Sequence, residues 1–481
     1  MDNPKTWEEI VSHKIKLRDQ ALHNYLVNDI DQRPPSVTNV EGRSRLASDP
    51  VVQKITDISS VPNLLKLLDE GKYTAEDVVR AYIKRAVVAH QLTNSITEVV
   101  FEDALKQARE LDAHFKETGE LKGPLHGIPV TLKDQFNIKG VDSTLGYVGR
   151  CFEPAAEDAV LVQILRNMGA VIVAKTNLPQ SIMSHRLPYY GVAVSTEGQE
   201  HVPSSIGPMA RDLETICYIS RSLADSRPWD LDPRCSPLPW NETAFQEIQS
   251  RPMVIGLLVD DGVVKIHPPI ERVLLALAEK LRAQGHEIVE WDTSDHLQYM
   301  QLMDRYYSAD GFEDVIRDVT RAGEPFIPHV RSLISRGSAI SVYQYWQLNK
   351  EKFELQKKHL SKWNSVRSPS GRPVDVLLSP VLPHTAVPHR ALRWVGYTKV
   401  WNLLDYPAIS FPIDEVRKGV DSIPDVPYSS RNPNDAWNWS QFDIDSMDGH
   451  PINLQVIGKR FEEEKVLGAT TCIEKIWRAE N

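Results

Sequence analysis

A strand–helix–strand pattern in the second quarter of the chain constrains the fold most strongly. Residues 128–133 alternate apolar with other side chains, which predicts a strand that ends at Lys133. Residues 158–168 carry an apolar stripe at helical spacing, with Asp158 as the predicted N-cap. The following run, 170–174, is wholly apolar, as is typical of a buried strand. This order of elements predicts an α/β architecture.

The same order recurs downstream, where a strand is predicted at 253–259, a helix beginning at Pro268 or Pro269, and another strand from Ile288. Three earlier helices are predicted at 5–27, 74–90 and 101–117, the second with Thr74 and Asp77 as a capping pair. Residues 361–373 and 414–447 are rich in Ser, Pro, Asn and Asp, and we interpret them as surface loops, not as domain linkers. We therefore expect one domain over residues 1–481, with an N-terminal helical segment over about 1–120.

Composition excludes several classes of function. The formal net charge of −10 disfavours binding to nucleic acid, which needs clustered Lys and Arg. The four cysteines are widely spaced and form no C-x-x-C pair, so no zinc site is predicted. No run reaches the ~18 apolar residues that a membrane helix needs, and the polar start lacks the apolar core of a signal peptide. A cytoplasmic location is therefore expected.

Searches for common catalytic and cofactor motifs find none. The chain has no G-x-S-x-G, H-E-x-x-H, G-x-x-x-x-G-K-[ST] or G-x-G-x-x-G, so neither a metal nor a bound cofactor is expected. The paired carboxylates Asp260 and Asp261 follow a predicted strand and are typical of a solvated turn.

Several segments, in their order along the chain, resemble one known family. They are residues 123–146 around Lys133, Ala174–Gln180, Gly207–Arg211, Asp375–Pro380, Asn402–Ala408, Pro451–Gly458 and Gly458–Leu467. Each segment alone is weakly specific, but together they resemble the amidase signature family, and the last one is similar to fungal acetamidase-like members. The resemblance implies a mixed central β-sheet covered by helices on both faces.

The resemblance also implies a catalytic site, of which only Lys133, at the base position, is present. In the family, a neutral lysine takes a proton from a serine held through a cis peptide bond. That serine relays the proton from the nucleophilic serine, beside a glycine-rich oxyanion loop. This chain contains no Gly-Gly dipeptide, and Gln180–Ser184 runs directly into His185–Val192, which is similar to the family's sequence after the nucleophile. The signature block is therefore expected to be missing between Ser184 and His185, which would leave the sheet incomplete and a groove near Lys133.

No other serine is predicted to replace the nucleophile. Ser204-Ser205 has no flanking glycine for a tight turn, and it matches a family segment beyond the missing block. By resemblance, Ser143 and Thr144 shape the pocket without attacking the substrate. Ser59-Ser60 and Ser429-Ser430 lie in unrelated surroundings, and Gly337-Ser338 is interpreted as a loop.

Three interpretations remain open. The chain is a hydrolase of small carboxylic amides by descent, expected to be inactive as written. Alternatively, it is a non-catalytic relative that binds a ligand or protein partner. In the third, the gene encodes the serine block and this chain omits it. Apart from the resemblance, a lysine at a strand end usually extends to solvent. The sequence leaves a homodimer open.

Overall fold

The computed structural model describes residues 6–27, 50–178, 190–202, 206–422 and 428–479. The chain forms two compact units, one of Met1–Pro239 with Phe312–Ser335 and the other of Trp240–Gly311 with Arg336–Asn481. The single domain expected over residues 1–481 stays a prediction.

The first unit contains a mixed three-stranded sheet and nine helices among its described residues. They are α1 (Trp7–Leu22), α2 (Pro50–Thr56), α3 (Val61–Asp69), α4 (Ala75–Thr93), β1 (Ile96–Val99), α5 (Phe101–Thr118), β2 (Pro129–Lys133), α6 (Val160–Asn167), β3 (Val171–Thr176), α7 (Leu213–Asp225), α11 (Glu313–Thr320) and α12 (Pro328–Ile334). The predicted helices in the first 120 residues are confirmed, and Thr74 and Asp77 form the expected capping box of α4. The short strand β1 was not predicted.

The centre of this sheet is β3, which pairs parallel with β2 and antiparallel with β1. Val171 and Val173 join a core built mainly from α4 and α5. Ile172, between them, joins a second core that includes α6 and β2. Alternate side chains of one strand are therefore buried on opposite faces, which explains why the run reads as continuously apolar.

The Lys133 strand, β2, lies at the edge of this sheet. Its one strand partner among the described residues is β3, and the sheet order is β1-β3-β2. An unpaired strand edge leaves backbone donors and acceptors open. The incomplete sheet expected beside Lys133 stays a prediction.

The second unit contains a mixed five-stranded sheet in the order β5-β4-β6-β8-β7. Its elements are α8 (Glu242–Glu247), β4 (Val254–Leu257), α9 (Pro268–Ala283), β5 (Glu287–Glu290), α10 (His296–Tyr307), α13 (Val342–Ser365), β6 (Val376–Pro380), α14 (Gly396–Leu404), β7 (Ala408–Glu415), α15 (Pro433–Ser440), α16 (Ile444–Met447), β8 (Pro451–Ile457) and α17 (Glu463–Arg478). Helices α9 and α17 pack on the sheet. The α/β class with mixed strands is confirmed, and the described strands form two sheets.

Three local predictions were wrong. Helix α6 begins at Val160 without a side-chain cap, because the Asp158 carboxylate instead accepts a hydrogen bond from the Lys139 backbone N–H at 2.8 Å. The loop expected at 361–373 is helical through Ser365, since fully buried Trp363 anchors the end of α13 by donating to the Val374 carbonyl at 2.9 Å. The loop expected at 414–447 contains α15 and α16, each capped at its start by an Asn or Asp side chain.

No helix within the described ranges combines the length and the apolar character that crossing a membrane requires.

Candidate active site

Lys133 is the last residue of β2, and its side chain is half-buried. Burial lowers the pKa of its amine below the usual lysine range. Within the described part of the chain, this amine makes no hydrogen bond and no ion pair. The lysine thus meets one requirement of a base, a tendency to lose its proton, but no described residue places a hydroxyl within hydrogen-bond distance of it.

A second lysine lies on the neighbouring strand and has very different surroundings. Lys175 of β3 is fully buried, and its backbone pairs in register with Leu132, next to Lys133. Its amine donates to the backbone carbonyl of Asp142 and, at 2.8 Å, to the Ser143 hydroxyl oxygen. The two lysines therefore lie at neighbouring backbone positions of the sheet, and the amine of the one on β3 contacts a hydroxyl.

The carboxylate of Asp134 organises the turn that carries this hydroxyl. Asp134 is buried, lies 3.8 Å from the Lys175 amine, and accepts hydrogen bonds from the Thr144 hydroxyl at 3.1 Å and the Leu145 backbone N–H at 2.8 Å. Leu145 has a left-handed backbone (φ 54°) and a fully buried side chain. These contacts fix residues 143–145 against the end of the sheet.

Burial lowers the pKa of Lys175 to about 8, even though the Asp134 carboxylate opposes this effect by favouring the ammonium form. A lysine with this pKa is partly neutral near pH 8. Lys175 therefore combines a buried position, a lowered pKa and a hydroxyl within hydrogen-bond distance, as a general base requires.

A cavity of about 390 Å³ lies beside this turn in the first unit. The lining includes the Ser143 side chain, three arginines and three acidic residues. The full set is Asn137, Ser143, Arg150, Glu153, Ala155, Ala193, Glu197, Arg317, Asp318 and Arg321. Lys133, near which the sequence predicts a groove, is not part of this lining.

The other serines considered from the sequence do not join this site. Ser181, Ser184, Ser204 and Ser205 lie outside the described residues. Ser60 caps α3 and donates to Glu214 at 2.7 Å. Among the described residues, no three His, Cys, Asp or Glu side chains are grouped so as to hold a metal ion.

Lys175 lies within the segment Ala174–Gln180 that resembles the family, and the sequence predicted no role for it. One signal was available: a lysine that directly follows the apolar run 170–174 continues a strand whose neighbours are all buried. Such a lysine needs polar partners, because a buried charge without them is costly. The partners themselves, Asp142 and Ser143, are more than thirty residues away in sequence, so their identity required the tertiary structure.

Comparisons with known proteins agree on one family. The sequence model of the family described as Amidase matches residues 77–186 and 184–467, in two parts that meet at the Ser184–His185 junction. Amidase 1 of Gibberella moniliformis is 46% identical, and the alignment covers 98% of this chain and 100% of the relative. That alignment runs over 538 positions, more than the 481 residues of this chain, so at some positions this chain has no residue.

More distant matches point the same way. An acetamidase of Emericella nidulans is 29% identical, with 98% of each chain covered. Among solved structures, a fatty acid amide hydrolase superposes with a TM-score of 0.88 at 25% identity, covering 98% of this chain and 96% of that one. Because the family model spans most of the sequence and a relative well above 30% identity aligns over nearly all of it, this chain belongs to the amidase family of hydrolases.

Proposed function

We propose that this chain derives from hydrolases of small carboxylic amides and that, as written, it does not turn these amides over. It keeps Lys133 at the base position and lacks the block that carries both serines and the oxyanion loop. The observation that carries this proposal is the division of the family match into two parts at residues 184–186. The relative's longer alignment and the edge position of β2 support it.

The chemistry explains why this loss would abolish turnover. A serine hydroxyl attacks an amide poorly unless a base removes its proton. The tetrahedral intermediate needs hydrogen-bond donors for its oxyanion, and removal of a single donor costs about 10²–10³ in rate. Loss of the nucleophile, the relay and the donors together leaves Lys133 with nothing to activate.

Ammonia release from acetamide and benzamide tests the proposal. We expect purified, folded protein to release no more ammonia than a buffer blank, and Lys133→Ala to change nothing. Turnover by the unaltered chain that Lys133→Ala abolishes would show that another hydroxyl serves as nucleophile and would overturn the proposal.

A chimera supplies the positive control. The residues of Amidase 1 that face the gap would be inserted between Ser184 and His185. We expect this insertion to produce ammonia release that Lys133→Ala removes. Turnover in the chimera, together with its absence in the unaltered chain, would assign the loss to the missing block and not to the rest of the fold.

The abrupt junction between two well-matched parts favours a single deletion event over gradual decay. Such a deletion lies either in the gene or only in this version of its product. Sequencing the transcript across the Ser184–His185 junction separates the two, because a transcript that encodes the serine block would belong to an active amidase. The cytoplasmic location and the homodimer stay predictions.

A further inference from the structure

The hydrogen bond between Ser143 and Lys175 is independent of the missing block. Both residues lie in the described part of the first unit, and the Lys175 amine lies 2.8 Å from the Ser143 hydroxyl oxygen. The same oxygen lies 3.2 Å from the Phe136 carbonyl, to which the hydroxyl donates. A nucleophile and a base therefore already lie within proton-transfer distance.

Ser143 also faces open space. It lines the cavity of about 390 Å³, while Lys175 is fully buried behind it. A substrate can thus approach the hydroxyl from the cavity without contacting the base. Asn137 and Arg150 line the same cavity, and their side chains carry N–H groups of the kind that stabilise an oxyanion.

The charges around this cavity favour an uncharged ligand. Three guanidiniums line it, but Arg150 pairs with Asp318 at 2.5 Å, Arg317 pairs with Asp318 at 3.2 Å, and Arg321 pairs with Glu153. The three lining carboxylates balance these cations, so the wall carries no net formal charge. The volume is near the lower end of the range for small-molecule sites.

We propose that Ser143 is a second nucleophile, with Lys175 as its base, and that it accepts the acyl group of small uncharged esters. The neutral Lys175 amine takes the hydroxyl proton as the Ser143 oxygen bonds to the ester carbonyl carbon. The ester C–O bond then breaks, and the alcohol leaves with the proton carried by Lys175. Water hydrolyses the acyl-serine to a carboxylic acid and restores the hydroxyl.

This role differs from the pocket-shaping role that the family resemblance implies for Ser143. In the structure, the Lys175 ammonium donates a hydrogen bond to the Ser143 hydroxyl oxygen, and the Ser143 hydroxyl donates to the Phe136 carbonyl. For Ser143 to donate to Lys175 instead, the amine must lose one proton and the hydroxyl hydrogen must rotate toward it. The nitrogen and oxygen atoms are already within hydrogen-bond distance. The pKa of about 8 brings the neutral amine within reach at mildly alkaline pH.

Several charged groups surround this amine and influence its titration. They are Asp134 after β2, Glu98 on β1, Asp142 in the loop before Ser143, and Lys14 on α1. The three carboxylates raise the pKa of Lys175 and the Lys14 ammonium lowers it, in addition to the dominant lowering by burial. Acylation by Lys175 as base should therefore increase with pH through a single transition near pH 8.

Acetylation by 4-nitrophenyl acetate provides the test. We expect a burst of nitrophenolate equal to one acetyl group per chain, with the added mass located on Ser143 by peptide mass spectrometry. Ser143→Ala should abolish the burst. Lys175→Arg, which keeps the cation but not a usable base, should slow acylation by about 10²-fold or more. The pH transition near 8 should disappear in that variant.

Matched controls separate this chemistry from general reactivity. Ser338→Ala removes an exposed serine of the second unit, and Lys352→Met removes a half-buried lysine whose pKa burial also lowers. Both variants should retain the burst. Circular dichroism and thermal melts confirm that each variant is folded.

Several results would contradict the proposed roles of Ser143 and Lys175. An unchanged burst in folded Ser143→Ala, acetyl groups found only on other residues, or no burst in the unaltered folded protein would overturn the proposal. So would acylation of Lys175→Arg at the unaltered rate and pH profile, since Lys175 would then act only as a structural tie. None of these results depends on amide turnover, so the outcome is separate from that of the proposed function.

Discussion

Lys133, the last residue of β2, and Lys175 of β3 occupy neighbouring backbone positions of one sheet, but their surroundings differ. Lys133 is half-buried and has no hydrogen-bond or ion-pair partner among the described residues. Lys175 is fully buried and contacts the oxygens of Asp142, Ser143 and Asp134. Burial lowers both pKa values, so a lowered pKa alone does not identify a working base.

Whether a buried lysine can act as a base depends on the groups that its amine contacts. The resemblance assigns catalysis to Lys133, whose serine partners in the family belong to the block that we propose is missing here. The partners of Lys175 lie in the segment that directly follows β2, outside the proposed gap between Ser184 and His185. A network between β3 and the segment after β2 would survive the proposed deletion, whereas a catalytic site built around the lost loop would not.

The largest contrast is expected in stability. Replacement of Lys175 by Met leaves the buried Asp134 carboxylate and two further oxygens without their shared cation, and should lower the free energy of unfolding by about 3 kcal/mol. Lys133→Met removes an amine that has no partner among the described residues, and should change the free energy of unfolding by no more than about 1 kcal/mol. Urea unfolding midpoints, compared at equal slope, measure both. Equal losses would mean that Lys133 has a structural partner of similar strength.

A smaller contrast is expected in the dependence of stability on pH. The pKa of Lys175 is about 8 in the folded protein and 10.5 in the unfolded reference, so between these values the unfolded chain binds more protons. Stability should therefore rise with pH, and this group contributes about 1 kcal/mol between pH 7 and pH 9.

Other groups titrate in the same window, so the informative quantity is the difference between the unaltered protein and Lys175→Met. Urea unfolding at the two pH values measures it. A difference that stays constant from pH 7 to pH 9 would show that Lys175 keeps an ordinary pKa, and the proposed base would lose its support.

The smallest contrast concerns the strands themselves. β3 is hydrogen-bonded along both edges, while β2 pairs with β3 alone among the described strands. Backbone amides of β3 should therefore exchange with solvent deuterium more slowly than those of β2, by about tenfold or more. Hydrogen exchange with peptide mass spectrometry resolves the two segments. Equal protection would indicate that another segment or a second copy covers the β2 edge.

Much of the local structure could be predicted from the sequence. The apolar alternation at 128–133 and the continuous run at 170–174 correctly indicated β2 and β3, since the order of apolar residues along a strand reflects which of its faces are buried. The capping box of α4 was also correct, because its two partners are three residues apart. Signals of this kind need no knowledge of distant contacts.

The wrong local predictions have a common cause: residues distant in sequence form contacts that the local pattern does not include. Asp158 does not cap α6, because the Lys139 backbone N–H engages its carboxylate. Residues 361–365 are polar enough to suggest a loop, but burial of Trp363 keeps them helical. In each case a contact outside the local window offered a better partner than the local pattern did.

The sequence by itself determined the family, the α/β class and the Ser184–His185 junction at which the family match divides, because these depend on the order of residues along one chain. Only the tertiary structure decided which of the two lysines has partners among the described residues. Hydrogen bonds between β3 and the turn at 142–143 join residues that are far apart in sequence. A buried amine is stabilised by whichever oxygens the fold brings to it, and no local pattern specifies them.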